Sequence, residues 1–233
     1  MTRLPWVVGV SGASGTPYAR AVLGGFLDAG LPVDLVISRA ARLTLLDETG
    51  VRFRDSHWAT DLASWLDRDV ADADLVCWPP ADLAAGPSSG SYRTRGMVVV
   101  PASTASVAGI AIGLSKDLLQ RAADVTLKEG RPLVVVPRET PYTRATLQHL
   151  LELHDAGAVV LPASPGFYNA PASVDQLVDF VAAKALDVLG VPHDLMTRWT
   201  GQLGAALTDH HGVAASPSRT LTACRSRNPA RPN

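Results

Sequence analysis

Cysteine is nearly missing from this chain: Cys77 and Cys224 are its two copies in 233 residues. Cys77 stands in an apolar run and Cys224 in a polar tail, so no disulfide framework can be inferred and a reducing compartment fits. No run of about 18 apolar residues occurs, which argues against a membrane-spanning helix. The start, Met1-Thr-Arg-Leu-Pro5, leads straight into a strand-like run with no secretory apolar core. The expected location is the cytoplasm, with no membrane partner. Charge is also scarce: 18% of residues are charged, and 21 Lys and Arg against 22 Asp and Glu leave a formal net charge of -1. That balance argues against a nucleic-acid footprint. With 47% hydrophobic residues, the chain has enough apolar material for one α/β domain and hints at surface buried between copies.

What is present is an alternation of short β-branched runs with longer helical patterns. Strands are expected at 6–10, 32–37, 74–78, 97–100, 132–136 and 158–161. Helices are expected at about 16–28, from about 40, and at about 103–112, 116–124, 143–154 and 174–189. Residues 79–96, rich in Pro, Gly and Ser, read as a loop. Apolar strands alternating with amphipathic helices predict a parallel sheet covered on both faces. The expected fold is a single-domain, Rossmann-like (flavodoxin-like) three-layer α/β fold with a mostly parallel sheet. The domain is expected at 1–207, with 208–233 as a disordered tail lacking any apolar period.

The first strand runs into Gly9-Val-Ser-Gly12-Ala-Ser14-Gly15 and a helix opens after it. Glycines let backbone approach an anion, and a helix N-terminus offers unpaired N–H groups with a favourable dipole. Ser11 and Ser14 add hydroxyls. The alternative is a tight strand-to-helix turn with a Ser cap. A dinucleotide enzyme would usually end its second strand on an acid, whereas this strand ends Val36-Ile-Ser38-Arg39. Arg39 could face a 2′-phosphate, but a mononucleotide such as FMN fits more simply. The turn also lacks the G-x-S-x-G nucleophile pattern of serine hydrolases.

The chain resembles the UbiX-type flavin prenyltransferases. The resemblance rests on Gly12-Ala-Ser-Gly15-Thr-Pro-Tyr18, Ile37-Ser-Arg-Ala-Ala41 and Glu48-Thr49, then on Pro101-Ala-Ser-Thr-Ala-Ser106 and Arg121-Ala-Ala-Asp-Val-Thr-Leu-Lys-Glu129. Val136-Pro-Arg-Glu-Thr-Pro141, Gly157-Ala-Val-Val-Leu-Pro162, Pro165-Gly-Phe-Tyr168 and Leu189-Gly-Val-Pro-His193 follow in family order. It covers roughly residues 5–200.

The resemblance implies reduced FMN as the prenyl acceptor, held at Gly12, Ala13, Ser14, Ser38, Ser103, Thr104, Ala105, Ser106 and Arg138. It implies dimethylallyl monophosphate as donor, bound by Lys128, Arg138, Tyr168 and Lys184, with some of these supplied by neighbouring subunits of a homododecamer. Catalytic positions by the same resemblance are Ser14, Glu48, Glu139 and Lys128, joining the prenyl group to flavin N5 and C6 without a metal. The implied recipient of prenylated FMN is a UbiD-type decarboxylase. The bland alternative for Glu48 and Glu139 is a structural pair with Arg or Lys; for Lys128 and Lys184 it is a solvated helix end.

An acidic run, Asp67, Asp69, Asp72 and Asp74, reads as loop solvation rather than a metal carrier, and His210-His211 as tail residues. Three departures from the family pattern stand out: Leu83 where a tryptophan is common, Asp117 for Asn, and Lys184 for Arg. Leu83 leaves donor preference open. Two other functions compete with prenyl transfer: a flavin-dependent cysteine decarboxylase, and a non-catalytic FMN binder or carrier. The expected P-x-M-N segment and an early His speak against the decarboxylase, since neither is present.

Overall fold

The computed structural model describes residues 3–199. The expected tail at 208–233, the end of the expected domain, Cys224 and His210-His211 lie outside the described residues. Among the described residues six strands and seven helices form, the strands being β1 (Trp6–Val10), β2 (Val33–Ile37), β3 (Leu75–Trp78), β4 (Gly96–Ala102), β5 (Leu133–Pro137) and β6 (Val159–Val160). All pair parallel in the order β3-β2-β1-β4-β5-β6. The strands β1, β2, β4 and β5 are buried along their whole length. That is why their sequences read as largely apolar runs rather than alternating ones, Asp34 of β2 being the charged exception.

Seven helices connect and cover them: α1 (Thr16–Asp28), α2 (Arg39–Thr49), α3 (Trp58–Leu66), α4 (Thr104–Ala111), α5 (Leu118–Lys128), α6 (Arg144–Asp155) and α7 (Val174–Val188). Alternate strand residues serve two cores. On one face Val8, Leu35 and Val98 pack with Phe26 of α1, Leu62 of α3 and Leu186 of α7. On the other, Val7, Met97 and Val135 pack with Ile110 of α4, Leu119 of α5 and Leu153 of α6. The result is the three-layer, Rossmann-like fold the sequence predicts. The helix α3 goes beyond that expectation.

Chain order sets the place of the site. From β1 the sheet grows through β2 to β3; the chain then returns to lay β4 on the other side of β1 and grows outward to β6. The direction reverses between β1 and β4, and the crevice at the carboxyl ends of these strands is where open α/β sheets bind ligands.

The segment 79–95 is an ordered strap rather than a plain loop. It runs down α5, with Leu118 N donating to Pro80 O at 2.9 Å, Arg121 Nε to Ser88 O at 3.0 Å and Arg131 Nη2 to Gly90 O at 2.8 Å. A 3-10 turn occupies Gly86–Ser88. At the strands' amino edge Arg3 ties three segments together, reaching Asp34 at 2.7 Å and Asp74 at 2.6 Å. Tyr92 Oη donates to the other oxygen of the fully buried Asp34 at 2.9 Å.

Candidate cofactor and substrate site

A cleft of about 510 Å³ opens at the switch point, lined by Gly12, Ser38, Ser103, Ser106, Leu83 and Asp117 among others. Its size lies within the range of roughly 300–1,000 Å³ usual for small-molecule and cofactor sites. Ser11, fully buried, fixes its floor: its hydroxyl donates to Pro101 O at 2.8 Å and accepts from Ser103 N at 2.7 Å. One side chain therefore joins the end of β1 to the start of α4.

Two helix starts face the cleft. Ser38 caps α2, accepting from Ala41 N, and Ser103 caps α4, accepting from Ser106 N and donating to Ser106 Oγ. Asp117, which also lines the cleft and stands where the family commonly has Asn, caps α5 by accepting from Gln120 N at 3.0 Å. Asp and Asn cap about equally well, so this departure leaves the wall intact. Gly12 is sterically required: a Cβ there would stand 2.4 Å from Ala40 Cβ. Lys116 and Gln120 also line the cleft; their only sequence signal is their place beside the α5 cap. Leu83 is the one large apolar side chain lining the cleft, and it is half exposed.

The start of α1 does not match the alternative reading of a turn with a serine cap. Gly15 is its N-cap and contributes no side-chain bond. The cap comes from Glu48 at the far end of α2. Its carboxylate accepts from Gly15 N at 2.9 Å, from Thr16 N at 2.9 Å and from Thr16 Oγ1 at 2.6 Å. Burial pushes the Glu48 carboxyl upward, but hydrogen bonds from Thr16, from the Ser14 hydroxyl and from the two backbone amides outweigh it. The net effect holds the group below its ordinary value. Glu48 is thus not paired with Arg or Lys. It occupies the α1 N-terminus as an internal anion, and leaves the α2 and α4 starts to an external one.

Arg138 follows β5, with its amide donating to Ala102 O. Its Nε is buried with no partner, and its Cγ lies 3.8 Å from where a Cβ on Gly15 would be. An orphaned guanidinium nitrogen beside the glycine turn suits an anionic ligand. Glu139 is exposed, and Thr140 N donates to its Oε1 at 2.9 Å. Of the expected flavin positions, Gly12, Ser38, Ser103, Ala105 and Ser106 line the cleft together. Ala13 is buried in the turn, Ser14 and Glu48 sit at the adjoining α1 start, and Thr104 opens α4.

One of the expected phosphate ligands, Lys128, lies away from the cleft within one chain. Lys128 ends α5, whose first turn adjoins the cleft. Eleven residues at 1.5 Å each carry it about 16 Å toward the opposite edge of the sheet. Tyr168 stands before α7, its ring edge-on to Phe180 with centroids 5.8 Å apart. Lys184 lies one turn further on the same helix face, 3.9 Å from Asp187. Among the described residues there is no cluster of three or more His, Cys, Asp or Glu able to hold a metal ion, and no helix is long and apolar enough to cross a membrane.

A switch-point cleft with two capped helix starts and a buried, unpaired guanidinium nitrogen marks a mononucleotide-binding α/β protein, and the family model described as Flavoprotein matches residues 1–186. The Streptomyces coelicolor flavin prenyltransferase UbiX is 63% identical over 212 residues, covering 87% of this chain and 98% of that protein. The chain belongs to the UbiX flavin prenyltransferase family. Among solved structures, AnUbiX (PadA1) in complex with FMN and dimethylallyl pyrophosphate matches with TM-score 0.75 and 35% identity, over 86% of this chain and all of that one. A dodecameric FMN-dependent UbiX-like decarboxylase from Escherichia coli O157:H7 matches with TM-score 0.75 and 40% identity, over 85% of this chain and all of that one.

Proposed function

We propose that this protein transfers a dimethylallyl group to reduced FMN. The observation that carries the reading is the cleft in which Gly12, Ser38, Ser103 and Ser106 meet, beside the unpaired Nε of Arg138. The α2 and α4 starts and the serine hydroxyls would hold the flavin phosphate. Arg138 would face either the flavin or the donor phosphate. When bound, reduced FMN would supply two bonding positions: N5, which would bond prenyl C1 with loss of its proton as the C1–O bond breaks and phosphate leaves, and C6, which would bond C3 with loss of its proton as the C2=C3 double bond takes up a proton at C2.

The chain's own groups divide the remaining work. Lys128, Arg138, Tyr168 and Lys184 would bind the donor phosphate and stabilise it as it leaves. Because Glu48 is held ionised, it serves as an acceptor that orients the Ser14 hydroxyl, not as a neutral acid. Glu139, which accepts from Thr140 N and follows Arg138 in the chain, would receive a proton. Leu83 gives the prenyl group an apolar wall without aromatic density.

The separation of Lys128 from the cleft supports a site completed by another subunit. We read the assembly as a homododecamer, the state named for the Escherichia coli relative. Exposed apolar side chains such as Leu43, Leu147 and Leu151 are consistent with faces buried between copies. The protein is proposed to act in the cytoplasm without a metal and to pass prenylated FMN to a UbiD-type decarboxylase. Residues 1–207 are proposed as the flavin-binding domain.

The test is anaerobic incubation with reduced FMN and dimethylallyl monophosphate, with the pyrophosphate in a parallel arm. Released flavin heavier by one prenyl unit is expected. Unmodified FMN from both arms, with FMN binding demonstrated, would sink the reading.

A further inference from the structure

The strap at 88–92 and the end of α5 form a second preassembled element. Arg121 Nε donates to Ser88 O at 3.0 Å, while Arg131 donates to Gly90 O at 2.8 Å and Tyr92 O at 3.0 Å. Two arginines thus fix the backbone of Ser88–Tyr92. Against it lies Lys128, whose Nζ is bonded to Glu129 Oε1 at 2.5 Å, and Arg131 approaches the other Glu129 oxygen at 3.9 Å. The fit at Gly90 is close: a Cβ there would meet Glu129 Oε1 at 2.0 Å and Lys128 Nζ at 2.7 Å. A side chain at this position would have to push the carboxylate and the ammonium aside.

A carboxylate beside a phosphate-binding lysine needs a reason, since it repels the dianion the lysine attracts. We propose that Glu129 is a positioning residue for the prenyl donor, holding the Lys128 ammonium over the Ser89-Gly90-Ser91 backbone so that a phosphate meets a fixed cation. The inference rests on the reading of Lys128 as a donor-phosphate ligand. A lysine carries four rotatable carbons and loses their freedom on binding unless they are already held. Glu129 removes that loss in advance. The flanking serines, whose hydroxyls lie 2.9 Å apart, add donors beside the same backbone.

The sign of the effect separates the alternatives. If Glu129 positions Lys128, Glu129→Gln weakens donor binding although it removes a repelling charge. If the pair is only a solvated surface contact, the same change leaves donor binding alone or improves it.

Steady-state prenylation by the full-length protein, varying dimethylallyl monophosphate at saturating reduced FMN, reads this directly. Glu129→Gln is expected to raise the donor KM about tenfold with kcat within about twofold, the pattern of lost uniform binding. The FMN Kd from fluorescence quenching is expected to stay unchanged. Gly90→Ala, whose methyl displaces the same pair, is expected to raise the donor KM similarly. Lys128→Met combined with Glu129→Gln should be no worse than Lys128→Met alone, because Glu129 acts through the lysine.

A donor KM unchanged or lowered in Glu129→Gln, while Lys128→Met raises it, overturns the positioning role and leaves the reading of Lys128 standing. A donor KM unaffected by Lys128→Met overturns both.

Discussion

Replacing Glu48 by Gln tests whether this carboxylate is the cap of α1. The native group receives Gly15 N, Thr16 N and Thr16 Oγ1 at 2.6 to 2.9 Å, so one anion satisfies donors that Gly15, as N-cap, cannot. Charge-assisted hydrogen bonds contribute about 1.5–3 kcal/mol, and an anion at a partly buried helix N-terminus up to about 2 kcal/mol. These overlap, and solvent reaches much of the group, so the lower end applies. Gln keeps one acceptor oxygen and loses the charge, for an expected cost of about 1 kcal/mol at pH 7. For a chain of this size that is a melting temperature lower by about 2–4 °C.

The pH dependence follows from the direction of the shift. The folded carboxyl lies below its ordinary value, so its contribution is complete above the unfolded pKa of about 4.3. It drains away as pH falls through the lower folded value. Thermal melts at equal protomer concentration should show a constant gap between wild type and Glu48→Gln from pH 8 to pH 5, closing toward pH 3. Equal melting at pH 7, or a gap undiminished at pH 3, would refute the capping role.

Three further outcomes are expected. Gly12→Ala, whose methyl meets Ala40 Cβ, should weaken FMN binding at least about tenfold, since the backbone can no longer hold its close approach; flavin fluorescence titration reads it. Arg3→Met leaves the fully buried Asp34 with Tyr92 as its remaining side-chain partner, at a cost of about 3 kcal/mol. A calorimetric melt should fall by roughly 6–12 °C. Mixed assemblies of Gly12→Ala and Lys128→Met protomers, assayed at FMN and donor levels too low for either variant alone to turn over appreciably, should recover roughly a quarter of wild-type prenylation at equal proportions, provided each cleft takes its lysine from one neighbour. No recovery in verified mixed assemblies would mean that the cleft and Lys128 do not meet across subunits.

The strands were legible because a strand buried on both faces needs a largely apolar run: Trp6–Val10 and Leu133–Pro137 each supply one, and Val33–Ile37 does so with Asp34 as its one polar member. The helix α3 escaped for a local reason. Trp58, Leu62 and Trp65 have helical spacing, but His57 before them provides no side-chain cap, so the segment carries period without a start signal. The cleft's serines were legible because each stands where a strand gives way to a helix, a junction that is local in sequence. The cap of α1 was not. Gly15 and Glu48 are 33 residues apart, and no local pattern assigns a carboxylate at the end of one helix to the start of another.

The expected phosphate ligands show a different limit. Lys128, Arg138, Tyr168 and Lys184 could be picked out by family resemblance, which carries no distances. Geometry adds what resemblance omits. Arg138 stays at the carboxyl edge of the sheet, while the length of α5 takes Lys128 about 16 Å away along the helix. Tyr168, before α7, packs on Phe180, and Lys184 lies one turn beyond Phe180 on that helix. A phosphate only a few ångströms across cannot touch all of these in a single chain. Either some of the four residues are not ligands, or the donor site exists only where copies of the chain meet. The close packing of Lys128 and Glu129 against Gly90 favours the second, because an ordered cation facing away from its own cleft has a use when it faces another's.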